Sequence, residues 1–187
     1  MPDLSLVAPP ARAELLRSLR SRLGEISPGL RVVAEGVLGA DAPIDFVGVE
    51  PDGRALLVMV GDPGEDLELV ARGLAQRSWV QARLGDWLQL APELGLRQGS
   101  GVALLLLCPD FGPASRAAAG ALGPDAPALA VYRCVLNGAG IEVLVEPLGA
   151  AGAPRAPTRA AGALPAFRTG LSDADLGLTA AERSEFD

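Results

Sequence analysis

The chain has no histidine and no lysine; all sixteen of its basic residues are arginine. Each absence removes a class of chemistry. Without histidine there is no imidazole general base, no Ser-His-Asp triad and no Cys-His pair. Without lysine there is no Schiff base and no P-loop phosphate contact. Imidazole-ligated metals are excluded as well, which leaves only carboxylate sites for a hard cation such as Mg²⁺ or Mn²⁺. Aromatic residues are only 4% of the chain, so a core must be built from Leu, Val and Ala. The two cysteines, Cys108 and Cys134, sit in apolar runs and read as buried free thiols rather than a disulfide. No cationic start followed by an apolar run suggests a signal peptide, and no stretch is long enough to span a bilayer, so the cytoplasm is the expected compartment. Abundant Ala, Gly, Arg and Pro suggest a high-GC, bacterial-type genome. That bias favours arginine over lysine but does not account for the loss of histidine.

What is present is enough for one compact domain with a tail. The chain has 187 residues, 49% of them hydrophobic, sufficient to bury a core of ordinary size. The net charge of −7 opposes non-specific affinity for nucleic acid. Its distribution is uneven. Between Asp41 and Glu68 there are eight acids (Asp41, Asp45, Glu50, Asp52, Asp62, Glu65, Asp66 and Glu68) and one base, Arg54. Such a region repels phosphate unless metal ions offset it.

Periodicity divides the chain into elements. Residues 11–25 predict a helix with Leu15, Leu16, Leu19 and Leu23 on one face, ended by Ser27-Pro28-Gly29. Strands are expected at 31–38, 44–50 and 55–60, with Pro51-Asp52-Gly53 turning between the last two. Asp62-Pro63-Gly64 opens a long helix over 65–90, whose first-turn acids Glu65, Asp66 and Glu68 suit the positive end of the helix dipole. The unbroken apolar run 102–108 reads as a central strand buried on both faces. A short Ala-rich helix over 113–122 follows, then strands at 129–136 and 141–147 joined through Asn137-Gly138. The expected fold is α/β, a mixed sheet flanked by helices, over residues 1–148. Residues 149–165 are rich in Ala, Gly and Pro and read as a flexible linker. Residues 166–187 form an acidic segment with apolar anchors Phe167, Leu171, Leu176, Leu178 and Phe186, a pattern suited to docking on a protein partner.

The stretch from Pro43 to Gly61 carries the sharpest signal. It is a strand with one acid, a tight Asp52-Gly53-Arg54 turn, and a second apolar strand ending Met59-Val60-Gly61. This layout resembles the metal-binding hairpin of the PD-(D/E)xK nuclease superfamily, in particular its RecB-like and NucS-like branches. The resemblance implies an αβββαβ restriction-endonuclease-like core, matched by the expected order over residues 11–108, with further strands after it. It also implies an Asp on the first strand, matched by Asp45, and Glu-x-Lys at the end of the second. Met59 and Gly61 stand in those two places, so Asp45, Met59 and Gly61 are vestigial positions. A Met neither binds Mg²⁺ nor polarises a water, and Gly61 removes the lysine that would steady the attacked phosphate.

Other residues carry two readings each. Gln76 falls where RecB-like nucleases place a helical Gln, but the Tyr expected four residues later is Val80; an exposed helix glutamine is the plainer expectation. Trp79, Arg83 and Trp87 are spaced four apart, as stacked bases would need, yet tryptophans on a helix against a sheet more often pack in the core. Function is expected to be non-catalytic: a nuclease-like scaffold binding a protein partner or a second copy, with no cofactor. The alternative is a Mg²⁺- or Mn²⁺-dependent nuclease with a rearranged set, Asp45 with Glu50, Glu65 or Glu68, Glu14 contributing, and Arg54 in the lysine's role. An acidic DNA mimic is a third and weaker possibility.

Overall fold

A computed structural model describes residues 5–138 and 140–149 of the chain. The expectations for residues 150–187, including the linker and the anchors Phe167, Leu171, Leu176, Leu178 and Phe186, lie outside the described residues. In chain order the elements are β1 (Ser5–Val7), α1 (Arg12–Ile26), β2 (Arg31–Leu38), β3 (Pro43–Val49), β4 (Ala55–Val60), α2 (Asp66–Leu90), β5 (Val102–Cys108), α3 (Pro113–Gly120), β6 (Ala128–Asn137) and β7 (Gly140–Leu148). The fold is α/β, a seven-stranded mixed sheet flanked by three helices, and from α1 to β5 it runs αβββαβ.

Sheet order follows from the connections. Tight turns join β2 to β3 and β3 to β4, so both pairs are antiparallel. The crossover through α2 makes β5 parallel to β4, and that through α3 makes β6 parallel to β5. β6 is long enough to serve two neighbours on one side. Its first half pairs with β5 and its second half with β1, while β7 runs along its other side. Among the described residues β7 is thus an edge strand, as is β2 at the opposite side of the sheet. β1 has no sequence signal of its own; three residues are too few to show alternation, and β6 recruits them.

Two apolar layers hold the sheet. Leu15, Leu19 and Leu23 recur every four residues on α1 and pack on Phe46, Val58, Leu105 and Tyr132. On the other face Leu69, Val70 and Val80 of α2 and Ala119 of α3 cover Leu57, Met59, Leu104 and Leu106. Every residue of β4 is buried, as the unbroken run of apolar residues requires. Both cysteines are buried and free. Trp79 and Trp87 flank the second layer half-buried, and Arg83 lies over the Trp79 ring at 4.2 Å from its centroid. They belong to the packing of α2, the plainer of their two readings.

Candidate functional site: a closed cleft at the open end of a hairpin

The β3–β4 hairpin ends differently at its two extremities. At the turn, Gly53 adopts φ +85°, which L side chains resist, and Glu50 and Arg54 exchange the closing hydrogen bonds of the loop. At the open end the ladder stops at Phe46↔Val58. Beyond that pair the strands continue through a side chain: Val60 N–H donates to Asp45 Oδ2 at 2.8 Å. The other carboxylate oxygen, Oδ1, accepts from Arg12 Nη2 at 2.8 Å, and the same nitrogen donates to the Val60 carbonyl at 2.9 Å. Arg12 also reaches Asp62, with 3.7 Å between Nη1 and Oδ1. Helix α1, strand β3 and the end of β4 are therefore riveted together at one carboxylate.

Asp45 is buried, with 7% of its side chain exposed. It does not face solvent, as a lone polar residue on a strand would be expected to do. Burial pushes its pKa up, and the Val60 N–H, Arg12 and, more weakly, Arg72 oppose that without cancelling it. A short ion pair and a raised pKa are compatible: desolvation of the carboxylate is the larger effect. A cleft of about 220 Å³ opens here, lined by Arg12, Ala42, Pro43, Asp45, Met59, Asp62, Glu65 and Arg72.

Met59 on β4 and Gly61 just after it are packed rather than vacant. Met59 is buried in the α2 layer. Gly61 is fixed on both sides, its N–H donating to Leu107 O at 2.8 Å and its carbonyl accepting from Tyr132 OH at 3.0 Å. A Cβ at position 61 would meet Leu69 Cδ2 at 2.9 Å and Cys108 Sγ at 3.4 Å. A side chain at this position would require the Leu69 Cδ2 methyl to shift. Cys108 behind it is pushed up to about 11 by burial, so it is a protonated thiol and not a nucleophile at neutral pH.

The carboxylates that a metal would need do not form one set. Glu65 lines the cleft with Asp45, but it pairs with Arg72, 3.7 Å between Oε2 and Nη2. Glu68 is bound to the same arginine at 3.5 Å, out on the helix surface. Glu50 stands at the turn end, where it accepts from Arg54 at 2.7 Å and Ser27 at 3.2 Å. Arg54 is therefore engaged away from the cleft, and Glu14 is exposed on α1. Asp66 does more than complement the α2 dipole: it accepts from Ser115 Oγ at 2.6 Å and Gly112 N–H at 2.8 Å, which ties α2 to the start of α3 and lowers its pKa. Among the described residues no group of three or more His, Cys, Asp or Glu is placed to hold a metal ion. Position 59 offers no oxygen ligand from its side chain, and each oxygen of Asp45 already accepts a hydrogen bond.

Two residues depart from expectation. Gln76 is buried, not exposed: its Oε1 accepts from Ala40 N–H at 3.0 Å and holds the 39–42 loop against α2. A Cβ at Gly39 would sit 1.8 Å from that oxygen, so only glycine admits the latch. Arg12 is the residue that sequence reasoning missed. Its one signal is position: a cation in the first turn of a helix, where the dipole favours an acid.

No protein-family model matches the chain, and no curated protein matches it. Among solved structures it is similar to a repair endonuclease from Pyrococcus abyssi, at 14% identity and a TM-score of 0.46 over 69% of this chain and 48% of that one. It is similar to EndoMS in an EndoMS–dsDNA2 complex, at 14% identity and 0.46 over 64% of this chain and 44% of that one. SfsA of Pyrococcus furiosus, in complex with Ca²⁺, follows at 15% identity and 0.38, over 73% and 62%. The chain spans about half the length of the first two.

Proposed function

We propose that this domain is a non-catalytic member of the nuclease-like fold that acts as a protein-binding or scaffolding module. The observation that carries the reading is Met59: where a PD-(D/E)xK hairpin presents its acid, this chain holds a fully buried methionine, and Leu69 packs against Gly61 in the lysine's place. The nuclease alternative has no comparable support, because its carboxylates are spread between the cleft, the helix surface and the far turn.

Support for binding comes from the other side of the sheet. Of the seven exposed large apolar side chains among the described residues, four (Leu6, Leu136, Ile141 and Leu144) lie on β1, β6 and β7. Leu136 and Ile141 are direct cross-strand partners, next to a cleft of about 330 Å³ between α1 and the β6–β7 hairpin. β7 presents an open strand edge beside them, the kind of edge to which a strand from a partner or a second copy can add. The anchors Phe167, Leu171, Leu176, Leu178 and Phe186 are proposed as a second contact.

Calorimetric titration of Mg²⁺ and Mn²⁺ tests the first half of the reading. No heat at millimolar metal, and no cleavage of single- or double-stranded DNA, is expected. Binding that Asp45→Ala abolishes would overturn it. Light scattering and pull-downs with the complete chain test the second half, comparing wild type with Ile141→Lys/Leu144→Lys and with the five anchors changed to Ser. Association unaffected by either set removes the proposed surfaces.

A further inference from the structure

We infer that the Arg12 guanidinium is the resident cation of the hairpin cleft, held by oxygens of the kind that a hard cation would take. This rests on the non-catalytic reading and adds the residue that closes the site. Three oxygens from three segments converge on one side chain: Asp45 Oδ1 at 2.8 Å, Val60 O at 2.9 Å and Asp62 Oδ1 at 3.7 Å. Carboxylate and backbone carbonyl oxygens are the ligands that a hard cation takes. The guanidinium serves them with two nitrogens, Nη2 on Asp45 and Val60 and Nη1 toward Asp62, and as part of the chain it cannot dissociate.

Local preference does not explain an arginine here. Arg12 opens α1, whose N-cap position, Ala11, makes no side-chain capping bond. A cation at that end opposes the helix dipole. The tertiary oxygens outweigh this, and Asp45 is the reason. Its Oδ2 is already committed to Val60 N–H, it is almost fully buried, and a buried carboxylate is tolerated only when paired. Arg72, the other cation lining the cleft, is shared between Glu65 and Glu68. Arg12 supplies the charge that Asp45 needs, so the buried carboxylate is paired without an ion from solution.

Thermal unfolding of the full chain at pH 7 in chelator tests this with Arg12→Met, Asp45→Asn, the double variant and Arg12→Lys. Arg12→Met keeps the aliphatic stem and removes the charge; it should lower Tm by about 5–10 °C. Adding Asp45→Asn should recover at least half of that loss, because the unpaired charge goes with it. Arg12→Lys should fall between, since it keeps the charge but lacks the second nitrogen that faces Asp62. Losses that simply add in the double variant, or an Arg12→Met that melts with wild type, would overturn the inference. If Arg12→Met does not fold, a double variant that does fold supports it, and equal failure of both sinks it. Metal titration separates the two claims. Metal binding by wild type would sink the non-catalytic reading, whereas additive losses with no metal binding would sink only the role of Arg12.

Discussion

The two ends of the β3–β4 hairpin carry nearly the same ion pair in different surroundings. At the turn Arg54 Nε lies 2.7 Å from Glu50 Oε2; at the open end Arg12 Nη2 lies 2.8 Å from Asp45 Oδ1. The arginines are equally exposed, at 43% and 44%, and the carboxylates differ, at 17% for Glu50 and 7% for Asp45. The turn would close without its pair, because the Gly53 conformation and the backbone bonds from Glu50 N–H to Arg54 O and from Gly53 N–H to Glu50 O already fix it. The open end has no such redundancy. There the ladder has stopped, and the Asp45 carboxylate with its guanidinium is what joins the strands. Distance alone does not rank the two pairs; burial and the lack of an alternative do.

The hardest test of the open end is to write the missing motif back in. Met59→Glu/Gly61→Lys should destabilise the domain by about 3–5 kcal/mol in urea unfolding, because both new charges enter a packed layer. It should not acquire divalent-metal binding, since Arg12 still occupies Asp45. A stable double variant that binds Mn²⁺ would show that the cleft is a vacancy awaiting residues, and the contrast with the turn would collapse.

The next effect concerns pH. The pKa of Asp45 is raised above its ordinary 3.8, so its own contribution favours the fold at acid pH and is lost as pH rises through the folded value. Arg12 works against that rise. Without it the folded pKa climbs further, so the deficit of Arg12→Met should be largest at neutral pH and shrink as the pH falls toward 4. At pH 7 the cost should be about 1–3 kcal/mol, below that of a fully buried pair because Arg12 is half exposed. A deficit that is the same from pH 4 to pH 7, followed by denaturant midpoints, would mean that Arg12 acts by packing and not by charge.

These contrasts also mark what could be read in the sequence. The hairpin was legible because a turn and two apolar runs are local signals, and so were the repeat of Leu15, Leu19 and Leu23 and the central run Val102–Cys108. Met59 and Gly61 were legible as absences against a known motif. The rivet was not, because Arg12 and Asp45 are separated by helix α1 and strand β2 and meet only when the helix packs on the sheet. Gln76 was misplaced for the same reason. Its neighbours on α2 suggest an exposed helix position, but the loop at Gly39 folds over it and supplies the backbone N–H. Glu50, Glu65 and Glu68 looked like one acidic region along the chain. In space the hairpin separates Glu50 from the other two.

Gln76 extends the comparison to the rim of the cleft, where Ala42 and Pro43 follow the loop it holds. Gln76→Ala removes a buried acceptor from Ala40 N–H and leaves a small cavity, at a cost of about 1–2 kcal/mol. Hydrogen exchange should speed up at residues 39–42 and remain unchanged at the Glu50–Arg54 turn. Equal exchange at both ends would show that the latch does not act locally.

The smallest effect belongs to the turn itself. Arg54→Met breaks an ion pair of the same length as the one at Arg12, yet Arg54 is nearly half exposed and Glu50 keeps Ser27 Oγ as a donor at 3.2 Å. Half-exposed pairs of this kind are worth less than about 1 kcal/mol, and added salt weakens them further. The midpoint of Arg54→Met should therefore move little at low salt and merge with wild type in high salt, while Arg12→Met stays displaced in both. If the two variants respond alike to salt, the Arg12 pair is a surface pair too, and burial of Asp45 is not what distinguishes the open end of the hairpin.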